Sequence, residues 1–196
     1  MLREWYYLPV DEDVPTGEME LILNLLDQSG QPIRPRPVTV ADVWIQSMEP
    51  TFERPEGLDE PRAVNLGDAI TFLGHDSQSA VRAGGHLRVT VYWRAQRAME
   101  ESYKVFVHLY DQEGNILAQQ DRVPGLGARP TATWAAGEIV GDRLLVPIDG
   151  AAPTGAYRLA VGLYTPETGE RLPTFDSEGQ RLDGDRILLG HVEVEP

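Results

Sequence analysis

From His86 the chain reads HLRVTVYWRA, in which Leu87, Val89, Val91 and Trp93 alternate with His86, Arg88, Thr90 and Tyr92. A period of two is the signature of a strand with one buried face. The segment YKVFVHLYD from Tyr103 repeats the pattern, with Val105, Val107 and Leu109 on one face and Phe106, His108 and Tyr110 on the other. Further short, β-rich runs begin at Ala69 (AITFLGHD), Asn115 (NILAQQD), Arg143 (RLLVPI), Tyr157 (YRLAVGLYT) and Arg186 (RILLGHVEV), each bounded by Gly, Pro or Asp. DQEGN from Asp111 and PETGER from Pro166 read as hairpin turns. RVPGLGARPTATW from Arg122 has no periodicity and reads as a long connection. Only RAMEES from Arg97 suggests a helical turn. The pattern predicts an all-β fold, an antiparallel β-sandwich of the immunoglobulin or fibronectin kind. The shared phase of the alternating runs predicts a core of Val89, Val91, Trp93, Val107, Leu109, Leu159, Val161 and Leu163.

One hairpin is written twice. VPTGEMELILNLLDQSGQPI from Val14 parallels APTGAYRLAVGLYTPETGERL from Ala152. With Pro9 set on Pro147, Asp11 falls on Asp149, Pro15 on Pro153, Gly17 on Gly155, Leu21 on Leu159 and Leu25 on Leu163. After a slip of one residue, Gly30 meets Gly169 and Ile33 meets Leu172. VTVADVWIQ from Val38 then takes the place of RILLGHVEV from Arg186. Pro sets φ in the shared PTG turn and Gly relaxes it, and the alternation that follows presents one apolar face in both copies. Residues 1–47 are therefore expected to be a partial repeat, the last three strands of a sandwich. Residues 48–61 are expected to be a linker rich in Pro and acids, and 62–196 a complete sandwich. The apolar face of the partial repeat, with Trp5, Tyr7, Met19, Leu21, Leu23, Leu25 and either Val43 or Trp44, needs cover. A homodimer through residues 1–47 is the expected solution, with back-folding as the alternative.

Composition narrows the function. The chain has 196 residues, 41% of them hydrophobic, and a formal charge of −14. The charge argues against nucleic-acid partners and against docking on anionic lipid. Cysteine is absent, which excludes disulfides, thiolate metal sites and a catalytic thiol. No apolar run reaches the roughly 20 residues of a membrane helix, so direct membrane insertion is not expected. The opening MLREWYYLPV lacks the basic and apolar regions of a signal peptide.

From Leu66 onward, LGDAITFLGHD, LRVTVYWRA, YKVFVHLYDQEGNILAQQD, PTATWAAGEIVGDRLLVPI, PTGAYRLAVGLYTPETGERL and GDRILLGHVEV resemble a soluble C-terminal module. That module is found in bacterial membrane proteins similar to glycosyltransferase family 39, the mannosyltransferase and aminoarabinose-transferase type. The resemblance implies a β-sandwich attached to a membrane parent and an extracytoplasmic location, with a cytoplasmic one left open. It transfers no catalytic residue, because the catalysis of such proteins belongs to their membrane-embedded part.

Candidate chemistry is sparse. His75, His86, His108 and His191 show no metal-ligand spacing, and the acidic runs DED from Asp11 and DGD from Asp183 read as turns before they read as calcium loops. No phosphate loop or serine-hydrolase elbow occurs. Catalytic residues, metals and cofactors are all expected to be none. The candidate ligand surface is the long connection and its flank: Asp121, Arg129, Trp134 and Glu138. There an exposed Trp would stack on a sugar while carboxylates take its hydroxyls. The competing reading makes Trp134 a lid on the sandwich core. The expected function is a non-catalytic extracytoplasmic accessory module that binds or positions glycan or a protein neighbour. The alternative is a structural spacer without a ligand.

Overall fold

In residues 64–196 each long alternating run finds a partner sheet for its apolar face. In the computed structural model, which describes residues 17–23, 27, 31–33, 36–45, 50–55, 58 and 64–196, the chain divides into two units, residues 1–49 and 50–196. The first contains β1 (Gly17–Leu23) and β2 (Val38–Ile45). The second contains β3 (Val64–Leu66), β4 (Ile70–Ser77), β5 (Ala80–Arg82), β6 (His86–Ala95), β7 (Lys104–Tyr110), β8 (Ile116–Arg122), β9 (Ile139–Pro147), β10 (Gly155–Tyr164), β11 (Thr174–Phe175) and β12 (Ile187–Glu195).

The second unit is a sandwich of two sheets, ordered β5-β12-β10-β7-β8 and β11-β3-β4-β6-β9. All pairs are antiparallel except β5 with β12. This is immunoglobulin topology: β12, β10, β7 and β8 lie in the order G, F, C, C′, with β4, β6 and β9 as A, B and E opposite. The chain changes sheet between β4 and β5. Leu87, Val89, Val91 and Trp93 of β6 face Val105, Val107 and Leu109 of β7 and Leu159, Val161 and Leu163 of β10 in one core. Each such side chain contributes about 1.5–3 kcal/mol on burial. The predicted core positions are all buried there. Tyr157 donates its hydroxyl to the Pro153 carbonyl at 2.9 Å, tying the start of β10 to the preceding PTG turn. That is the tyrosine corner of immunoglobulin-like domains.

Several local readings need correction. RAMEES forms bends rather than a helical turn, with Met99 buried in the core. The long connection holds two 3-10 turns, at Gly125–Gly127 and Thr131–Thr133. Thr131 anchors it: its Oγ1 accepts from the Tyr103 N–H at 2.9 Å and donates to the Glu101 carbonyl at 3.0 Å. Part of the stretch expected to be linker is also engaged, since Thr51 bridges to Ile139 at the start of β9.

The duplicated hairpin has one geometry in both places. β1 pairs with β2 and β10 with β12, both antiparallel. The register shift falls between Leu21 and Ile22 in the first pair, and between Leu159 and Ala160 in the second. Those are the same places in the alignment. One detail moves. Leu23 pairs with Val38 as Val161 pairs with Ile187, so Val38 corresponds to Ile187 and not to Arg186. In a strand one residue exchanges the two faces. Val43, opposite Met19, therefore shares the face of Met19 and Leu21, whereas Trp44 lies opposite Glu18. Trp5, Tyr7, Leu25 and the DED run fall outside the described residues. Equivalent positions differ sharply in cover: Leu23 and Val38 are 49% and 40% exposed, Val161 and Ile187 0% and 5%.

Candidate functional site

The four candidate residues do not form one surface. Trp134, Arg129 and Glu138 come together, but inside: they are 2%, 5% and 1% exposed. Trp134 donates its indole N–H to the Arg129 carbonyl at 3.0 Å, and the Arg129 guanidinium pairs with the Glu138 carboxylate. The second Glu138 oxygen accepts the Ala135 N–H at 2.7 Å. Gly137, at a positive φ of 84°, lets the loop turn back so that its N–H reaches the Ala95 carbonyl at the end of β6. The expectation of an exposed Trp is thus corrected. The ring belongs to the core and closes the sandwich as a lid, while the Arg129–Glu138 ion pair neutralises the charges buried with it.

Asp121 lies elsewhere, on the outer face of the β5–β8 sheet. Its neighbours come from an unusual run on β7. Phe106, His108 and Tyr110 point away from the core yet are buried. Asp121 accepts from His108 Nε2 at 3.0 Å, and His108 Nδ1 lies 2.9 Å from the Tyr110 hydroxyl. Tyr164, at the end of β10 and half-buried, lies beside the same Asp121. Partial burial, then the nearby Asp121 charge, raise the Tyr164 phenol above its ordinary range. Exposed Gln119 is paired with His108 across β7 and β8.

The connection between β10 and β12 covers the rest of this face. Phe106 lies against Gly162, where a Cβ would come within 2.5 Å of its ring. Arg171 stacks over the Phe106 ring, 4.4 Å from the centroid, and Arg186 stacks over Tyr110 at 4.7 Å. Arg171 also donates to the Gly184 carbonyl at 2.7 Å and to the Tyr110 hydroxyl at 3.4 Å. The DGD run is a 3-10 turn, Asp183–Asp185, with Gly184 and Asp185 at positive φ. Arg181 holds Asp185 at 2.7 and 2.8 Å, and Arg186 reaches Asp183 at 3.2 Å. Both acids thus meet arginine.

The outer face unites Tyr164, Asp121, His108 and Tyr110 with a rim of Arg171 and Arg186. Sequence reasoning picked out only Asp121. The overlooked signal was the outer face of β7 itself, written Phe-His-Tyr where a solvated strand face carries charged and small polar residues. The four histidines lie on different strands or on opposite faces, and among the described residues no group of three or more His, Asp or Glu gathers at metal-binding distance. Among the described residues no helix is long and apolar enough to cross a membrane.

No family model matches the chain, and no curated protein does. Among solved structures, the crystal structure of the C-terminal domain of Wzt aligns with a TM-score of 0.50 at 12% identity, covering 73% of this chain and 83% of that one. At that identity the likeness is one of fold. A Niemann-Pick type C2 protein from Japanese carpenter ant aligns with a TM-score of 0.38 at 6% identity, over 63% of this chain and 91% of that one.

Proposed function

We propose that this chain is a non-catalytic carbohydrate-binding module, and that the glycan lies on the outer face of the β5–β8 sheet. The observation that carries the reading is the hydrogen-bonded chain Asp121–His108–Tyr110 with the Tyr164 ring beside it. A half-exposed aromatic ring offers a stacking surface for the apolar face of a sugar. The carboxylate beside it accepts sugar hydroxyls, and the buried histidine behind it fixes its direction, so little ordering is needed on binding. Gln119 adds an exposed amide that can both donate and accept. The resemblance of the chain from Leu66 onward to the soluble region of family 39-like membrane proteins supports an extracytoplasmic role, positioning glycan for a membrane-anchored parent.

Isothermal titration against a panel of oligosaccharides tests the proposal. Binding that falls at least tenfold in Tyr164→Ala and in Asp121→Asn is the expected result. No binding to any sugar, or binding untouched by both variants, overturns it and leaves the structural spacer as the reading. The buried Arg129–Trp134–Glu138 plug already fits that alternative, since it serves the fold alone.

A further inference from the structure

The arginines above this face remain unexplained by stacking and hydroxyl recognition. Arg171 and Arg186 converge on one point. A Cβ built on Gly184 would lie 3.6 Å from Arg171 Nη1 and 3.5 Å from Arg186 Nε. The missing side chain keeps a gap open between two guanidinium groups. Both planes are held by aromatic stacking, Arg171 on Phe106 and Arg186 on Tyr110, so their direction is set before any ligand arrives.

Charge points the same way. In a chain of formal charge −14, Arg171, Arg181 and Arg186 gather around the Asp183–Asp185 turn. Arg181 takes both oxygens of Asp185, whose charge Arg171 also feels. Asp183, the partner of Arg186, has a side chain 96% exposed, so water screens it and an incoming anion can displace it. Arg171 itself bonds a carbonyl and a phenol, neither of which carries charge. Asp121, on the Tyr164 side of the face, is already bonded to His108.

We infer that Arg171 and Arg186 form an anion-recognising fork beside Tyr164, and that the glycan taken by this face is acidic, bearing a carboxylate or a phosphate ester. Guanidinium suits both, because its planar N–H donors match two oxygens of either group. The inference rests on the glycan reading above and narrows its ligand class.

The test is isothermal titration of the full chain with a neutral oligosaccharide, its uronate counterpart and its phosphorylated counterpart, at low and high salt. At least one acidic form is expected to bind tenfold or more tighter than the neutral one. That advantage should shrink at high salt and vanish in Arg171→Gln, while neutral-sugar binding persists. Whichever acidic form gains identifies the anion. Equal affinity for neutral and acidic forms overturns the inference and leaves the glycan reading standing. Binding to none overturns both. Circular dichroism checks each variant, and where Arg171→Gln does not fold, Arg186→Gln decides by the same criterion.

Discussion

Arg122 on β8 and Asp142 on β9 join the two sheets at their open edge: the guanidinium lies 3.3 Å from a carboxylate that points into the core and is fully buried. The same Asp142 oxygen accepts the Gly125 N–H at 2.9 Å, and Arg122 also donates to the Arg143 carbonyl. The second Asp142 oxygen has no partner. Burial pushes the Asp142 carboxyl up, against the pull of Arg122 and the Gly125 N–H. Asp142→Ala, which strands the Arg122 charge, is expected to cost about 3–5 kcal/mol. The double variant Arg122→Met/Asp142→Leu should cost much less, because it removes both desolvated charges together. Urea unfolding of the two singles and the double measures the coupling. Additive losses would show that the pair does not act as a unit.

Leu159→Ala is expected to destabilise the sandwich by about 2–5 kcal/mol through lost burial plus the cavity left behind. Leu159 sits centrally on β10, between β7 and β12, with its side chain in the shared core. A change within about 0.5 kcal/mol, the surface range, would contradict that placement.

Acid stability should depend on Asp185. The Arg181 hydrogen bonds, first, and the Thr174 N–H hold its carboxyl below the ordinary range. A depressed folded-state pKa gives stability that is present above the unfolded value of about 4 and is lost as pH falls through the folded value. Melting temperatures of the parent chain and Asp185→Asn should therefore differ at neutral pH and converge as the pH falls through the folded-state value. A gap that stays constant across that range would remove Asp185 from the account.

Residues 1–47 are proposed to pair two chains. The inner face of the hairpin, Met19, Leu21, Leu23, Val38, Val43 and Ile45, carries no charge, while Glu18, Glu20 and Asp42 lie on the other side. Leu23→Glu would introduce a charge where Val161 of the second copy is buried. Light scattering should find the parent chain dimeric and Leu23→Glu monomeric. A monomeric parent at high concentration would refute the exchange.

The strands of the core were legible because their information is local. Alternation in LRVTVYW, VFVHL and YRLAVGL states which side of each strand is apolar, and burial follows once any second sheet arrives. The duplicated hairpin was legible for the same reason: turn residues and strand period travel together along the chain. The short strands β3, β5 and β11 were not, since two or three residues carry no period.

What the sequence by itself determined was the class of fold, the apolar face of each long strand and the presence of a second hairpin of the same pattern. Tertiary structure alone decided the rest. It set the one-residue alignment of β2 on β12, because register belongs to hydrogen bonds between segments and not to either segment. It turned Trp134, Arg129 and Glu138 inward, because burial depends on what covers a residue. It also assembled the outer-face cluster from β7, β8, β10 and the turn before β12. Residues as distant as Phe106 and Arg171 share no local pattern, and only the meeting of strands across the sheet brings ring and guanidinium within 4.4 Å.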